Sequence, residues 1–76
     1  MPSTSLDEVV SVDPERLGGE PVFKGTRVPV RSLFDHLKAG DGIEVFLEDF
    51  PGVSRDQANA VLELAEQGLL QRLRAA

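Results

Sequence analysis

Beyond residue 29 the apolar positions recur every three to four residues. Val30, Leu33, Phe34 and Leu37 fall at i, i+3, i+4 and i+7, which is the spacing of one buried helix face. Pro29 pre-sets φ for the first turn of that helix, and Gly40 stands where it should close. Ile43, Phe46, Leu47 and Phe50 repeat the spacing. Asp41 and Glu44 are placed as a capping box at the start of this second helix, and Pro51 ends it because the residue before a proline is driven out of the helical region. After Pro51-Gly52-Val53, Ser54 and Gln57 form a second capping box. Ala58, Val61, Leu62, Ala65 and Leu69 then carry a third apolar stripe. Gly68 either ends this helix or is a weak point ahead of LLQRLRAA.

Before residue 29 the period is two. Glu8 to Val12 mixes β-branched residues with alternation and predicts a short strand, stopped by Asp13 and Pro14. Val22-Phe23 and Arg27-Val28 flank Lys24-Gly25-Thr26, where Gly25 can supply the positive φ of a tight reversal, so a small hairpin is expected. The polar start predicts disorder over residues 1–7. Residues 8–68 then form the domain and 69–76 a tail. The fold class is mainly α: a trihelical bundle preceded by a short β-strand and hairpin segment. Its last two helices, joined by a three-residue turn, fit a helix-turn-helix. Short three-helix units also bind proteins, so geometry alone leaves DNA and protein partners equally open.

Length and composition add a need for support. A chain of 76 residues buries only about 60% of the surface it exposes when unfolded. With no cysteine and one histidine, neither disulfides nor a metal can staple it, which leaves association. A homodimer is expected, through the strand residues Val9, Val10, Val12, Val22 and Phe23. No apolar run approaches the ~20 residues that span a bilayer, and the first residues lack the pattern of a signal peptide. A cytoplasmic protein with no membrane role is expected.

The net charge of −5 is distributed in blocks. Met1 to Glu20 holds five acids against Arg16, and Lys24 to Lys38 holds four bases against Asp35. Asp41 to Glu66 holds seven acids against Arg55, and the tail carries Arg72 and Arg74. Alternating blocks give faces of opposite sign, each suited to a different partner.

GGEPVFKGTRVPV, from Gly18 to Val30, concentrates glycine, proline and basic residues. It is not a P-loop, because Lys24-Gly25-Thr26 inverts the order GK[ST] and leads into a helix that begins with proline. It reads first as a turn-rich scaffold. Thr26, Arg27 and Arg31, with Lys24, also lie near the start of the first helix, where backbone N–H groups favour an anion such as a DNA phosphate. In a recognition helix, Ser54, Arg55, Gln57 and Asn59 would face the groove as readers of guanine or adenine edges. Asp56, Glu63 and Glu66 leave the same helix net negative, which opposes phosphates. His36 reads as a solvated histidine, and Glu44, Glu48 and Asp49 as a solvated face rather than a cation site. No catalytic residue, metal or cofactor is expected. Phe34, Phe46 and Phe50 read as core.

GGEPVFKGTRVPV, the following LFDHLKAG and then IEVFLEDFPGVSRDQANAVLELA together resemble the family catalogued as domain of unknown function 433. Its pattern is met by Gly18, Gly19, Pro21, Val22, Phe23, Gly25, Thr26, Arg27, Val28, Pro29 and Val30, and by Gly40 and the Phe50-Pro51 break. The resemblance implies a homeodomain-like helical domain, usually dimeric, similar to VapB-type antitoxins paired with a PIN-like ribonuclease toxin. Such a toxin has a carboxylate-lined, metal-binding active site. On that reading Arg72 and Arg74 would enter the site as a cation substitute, beside Leu69, Leu70 and Leu73 as apolar anchors, and the helix-turn-helix would help repress the operon. The competing expectation is a dimeric adaptor or interaction module with no DNA role. A small ligand-sensing regulator is a third.

Overall fold

A computed structural model describes residues 6–15 and 17–75, Leu17 by its backbone only. The chain runs through α1 (Leu6–Val9), β1 (Val10–Ser11), a 3-10 turn (Leu17–Gly19), β2 (Val22–Phe23), α2 (Val30–Lys38), α3 (Ile43–Asp49) and α4 (Arg55–Ala75). The expected three helices are α2, α3 and α4, and the β segment precedes them. β1 and β2 pair antiparallel, with Val10 opposite Phe23 and Ser11 opposite Val22.

The reversal at Lys24-Gly25-Thr26 forms as its residues require. Gly25 has φ 79°, a region that β-branched and bulky residues rarely enter. Phe23 N–H donates to the Val28 carbonyl at 3.0 Å, Thr26 N–H donates to the Phe23 carbonyl at 3.0 Å, and a bridge joins Val22 to Pro29. The Thr26 hydroxyl closes the turn, donating to the Phe23 carbonyl at 2.7 Å and accepting from Val28 N–H at 3.0 Å. Val30 N–H donates to the Pro21 carbonyl at 3.0 Å, which fixes the angle at which α2 leaves the loop.

The core consists of Val9, Phe23, Leu33, Phe46, Val53, Ala58 and Val61. Phe46 is its hub: its ring centroid lies 5.8 Å from that of Phe23 and 5.2 Å from that of Phe50, in tilted packing. α2 packs on α3 and α1 on α4. α2 ends in a Schellman arrangement, with Gly40 at φ 92°, Gly40 N–H on the Leu37 carbonyl and Asp41 N–H on the His36 carbonyl.

Four expectations need correction. The predicted strand from Glu8 to Val12 is a strand only at Val10–Ser11; Glu8 and Val9 belong to α1, where Val9 is buried and α1 packs on α4. Tertiary contact outweighs the β-branched pattern there. Of the stretch expected to be disordered, residues 1–5 lie outside the described residues, while Leu6 and Asp7 start α1. The Asp41 capping box does not form. Gly42 is the N-cap of α3, in extended geometry and without a side-chain hydrogen bond, and the Glu44 carboxylate pairs with Arg55 instead. Lastly, 69–76 is not a separate tail: α4 continues through Gly68 to Ala75.

The Ser54 box does form. Gln57 N–H donates to Ser54 Oγ at 3.1 Å, and Ser54 N–H donates to Gln57 Oε1 at 2.9 Å.

Candidate functional site

The cationic residues of the loop are held separately. Lys24 Nζ donates to the Asp7 carbonyl at 3.1 Å, and Arg31 Nε lies 3.9 Å from Glu20 Oε1. The Thr26 hydroxyl is occupied within the turn. Arg27 lines an open cleft of about 480 Å³ together with Ser11, Asp13, Glu20, Val22, Gly25 and Thr26. Two carboxylates beside that guanidinium make the cleft a poor place for a phosphate. The four residues expected to clamp a phosphate are thus not brought together on one anion.

At the start of α4, three of the four expected base readers have other work. Ser54 and Gln57 cap the helix, and Gln57 Nε2 also donates to the Lys24 carbonyl at 3.0 Å, tying α4 to the loop. Arg55 is paired with Glu44. Asn59 is exposed. These bonds engage Gln57, the Ser54 oxygen and one guanidinium nitrogen of Arg55 within the chain.

The expected dimer residues divide in the same way. Phe23 and Val9 are buried in their own chain, so neither side chain is presented to a partner. Val10 and Val22 are half-buried, and Val12 is exposed.

His36, expected to be solvated, is largely covered. Only 19% of its side chain is exposed. Its Nδ1 is 2.8 Å from the Ser32 carbonyl and its Nε2 is 2.9 Å from Asp49 Oδ2. The ring stands edge-on to Phe46 and Phe50, at 5.5 and 5.7 Å. It therefore bridges α2 to α3. The hydrogen bond to Asp49, then that to the Ser32 carbonyl, raises its pKa above the ordinary 6.5, with burial opposing.

The remaining feature is the second half of α4. From Ala65 to Ala75 every residue is exposed, including Leu69 at 58%, Leu70 at 39% and Leu73 at 64%. Arg72 and Arg74 stand beside these leucines and form no ion pair among the described residues. The five residues expected to meet a toxin are thus gathered on one bare length of helix. No helix among the described residues is long and apolar enough to cross a membrane.

Comparison with known proteins gives a consistent family. Residues 10–65 match the family described as "Protein of unknown function (DUF433)". The chain is 36% identical over 64 residues to "Uncharacterized protein y4eO" of Sinorhizobium fredii (strain NBRC 101917 / NGR234), covering 84% of this chain and 29% of that protein. It thus spans under a third of that relative's length. A crystal structure of a DUF433 member protein from Anabaena variabilis ATCC 29413, at 2.00 Å resolution, superposes with a TM-score of 0.70 at 26% identity. That match covers 92% of this chain and 69% of the other.

Proposed function

We propose that this chain, which belongs to the DUF433 family of proteins of unknown function, is the antitoxin of a type II toxin–antitoxin pair that neutralises a PIN-like ribonuclease through the second half of α4. The observation that carries this is the bare helix from Ala65 to Ala75. An isolated helix shorter than ~12–15 residues is marginal in water, so three turns that add no residue to the buried core of their own chain are best accounted for by a partner. Leu69, Leu70 and Leu73 supply apolar anchors, and Arg72 and Arg74 supply cations beside them that form no ion pair among the described residues. Apolar anchors flanked by arginine are the composition of an interface hot spot. The class of partner, a ribonuclease with a carboxylate-lined site, comes from the family resemblance, and the two arginines suit such a site electrostatically.

Operator binding is left out of this function. The first turn of α4 engages Ser54 and Gln57 in the cap and Arg55 with Glu44, and Lys24 and Arg31 have local partners. An adaptor that binds protein and not DNA uses the same surface, and differs only in what it binds.

The test is co-expression with the product of the neighbouring reading frame, followed by pull-down and growth rescue. A stable complex that relieves toxicity is expected. A neighbour that is not toxic, or a toxic one that this chain neither binds nor neutralises, would overturn the antitoxin function in favour of the adaptor.

A further inference from the structure

An apolar groove in the body of the domain and the bare half of α4 share one side of that helix. The groove, of about 330 Å³, has Leu6 and Val12 on one bank and Val61, Leu64 and Ala65 on the other, with Phe34 of α2 also lining it. α1 packs on α4 there, yet Leu6 and Val12 remain exposed. A helix turns about 100° per residue, so Ala65, Gly68 and Arg72 all stay within about 40° of the direction in which Val61 is buried. Glu63, Glu66, Leu70 and Arg74 lie about 140–180° round the axis from it. The strip that leaves the groove thus carries two small residues and then a cation, with the carboxylates of α4 on the far side.

Three features of this strip select an occupant. The side chains lining the groove are all apolar, so none can bond the backbone N–H or C=O groups of a segment lying there. Such a segment must satisfy its own, as a helix does. Between the groove and Arg72, nothing lies within 4 Å of where a Cβ of Gly68 would stand, and helix axes approach most closely where the side chains between them are smallest. Arg72 stands seven residues beyond Ala65, about 10 Å further along the axis. It forms no ion pair among the described residues, which suits a carboxylate at that distance.

We infer that this strip takes an amphipathic helix of the ribonuclease partner, whose apolar face fills the groove and whose acidic side chain, about two turns further along, pairs with Arg72. The inference rests on the antitoxin function proposed above and adds to it a second contact, on the body of the domain. It also divides the bare half of α4. Leu70 and Arg74 lie on the opposite side, so Arg72 is the arginine of this contact.

The test is titration calorimetry of the full chain against the product of the neighbouring reading frame. Leu6→Glu and Val12→Glu each put a carboxylate among the apolar side chains of one bank. Melting temperatures should stay close to wild type, because both positions are exposed, while the Kd should rise by about tenfold or more. Val45→Glu makes the same chemical change at an exposed position of α3, which lines no part of the groove among the described residues, and should bind as wild type. Arg72→Ala should weaken binding and flatten its salt dependence. Wild-type affinity in both Leu6→Glu and Val12→Glu would overturn the groove as the docking site and leave the antitoxin function standing. Wild-type affinity in Arg72→Ala would overturn the pairing with a carboxylate. A loss in Val45→Glu equal to that in Val12→Glu would trace the effect to added charge, and a free dimer dissolved by Val12→Glu would give the groove to a second copy; either overturns the inference. If the wild-type chain does not bind the neighbour at all, the antitoxin function fails and this contact falls with it.

Discussion

The imidazole of His36 donates across the α2–α3 boundary to Asp49, 2.9 Å from Nε2 to Oδ2, while its other nitrogen is 2.8 Å from the Ser32 carbonyl. Both neighbours are acceptors. A neutral histidine has one N–H and can satisfy only one of them, whereas the imidazolium satisfies both. The geometry therefore favours the charged ring, in the same direction as its raised pKa.

Stability should follow that proton. A group whose pKa is raised on folding contributes stability that is complete below its unfolded value, here the ordinary 6.5, and lost as pH rises through the folded value. Melting temperature followed by circular dichroism should fall from weakly acid to weakly alkaline pH, and His36→Gln should flatten that slope. In Asp49→Asn the titration midpoint of the ring, read by NMR, should move down, because the largest cause of its elevation has gone. A wild-type melting temperature that rises over this range would refute the bridge.

Gly25 and Thr26 should prove the structural centre of the GGEPVFKGTRVPV loop. Gly25→Val puts a β-branched residue at φ 79° and should cost about 1–3 kcal/mol. Thr26→Val leaves the Val28 N–H without its acceptor and should cost about 1–3 kcal/mol. Arg31 is 74% exposed in a long pair with Glu20, so Arg31→Ala should stay within about 0.5 kcal/mol of wild type. Urea unfolding of the three variants tests the order, and a destabilised Arg31→Ala beside an unchanged Thr26→Val would reverse it.

Gln57 does more than its partner in the cap. Ser54→Ala removes one acceptor and should cost about 1 kcal/mol. Gln57→Ala removes the reciprocal bond and also the tie to the Lys24 carbonyl, so about 1–2 kcal/mol is expected. Equal losses in thermal melts would mean that the tie to the loop contributes nothing.

The helices were legible because Leu33, Phe46, Ala58 and Val61 recur at one period, and all four are buried. The Ser54 and Gln57 box was legible for the same local reason. The Asp41 box has equivalent lettering, but Gly42 is the residue that takes the extended cap geometry, and Glu44 finds Arg55, 11 residues away. His36 was opaque because its partner Asp49 is 13 residues away and comes within reach only once α2 packs on α3. Phe23 was misread for a related reason: in a short strand of a small protein it suggested a dimer contact, yet Phe46 fills the space beside it. In α4 the letters past Gly68 were correctly seen as leucine and arginine. What pattern could not supply was that the helix continues through them with every residue exposed.

Removing 69–76 separates what α4 does for its own chain from what it does for others. The last buried core residue is Val61, and from Ala65 to Ala75 every residue is exposed. The truncated chain should therefore keep its core, with a stability change within about 1 kcal/mol and a loss of helical signal only in proportion to the turns removed. It should not neutralise the proposed toxin, since Leu69, Leu70, Leu73, Arg72 and Arg74 go together. A variant of full length separates loss of the surface from loss of helix: Leu70→Glu with Leu73→Glu, at positions that are exposed, should abolish neutralisation and leave the melting temperature close to wild type. Growth rescue by the truncated chain equal to wild type would remove the second half of α4 from toxin binding.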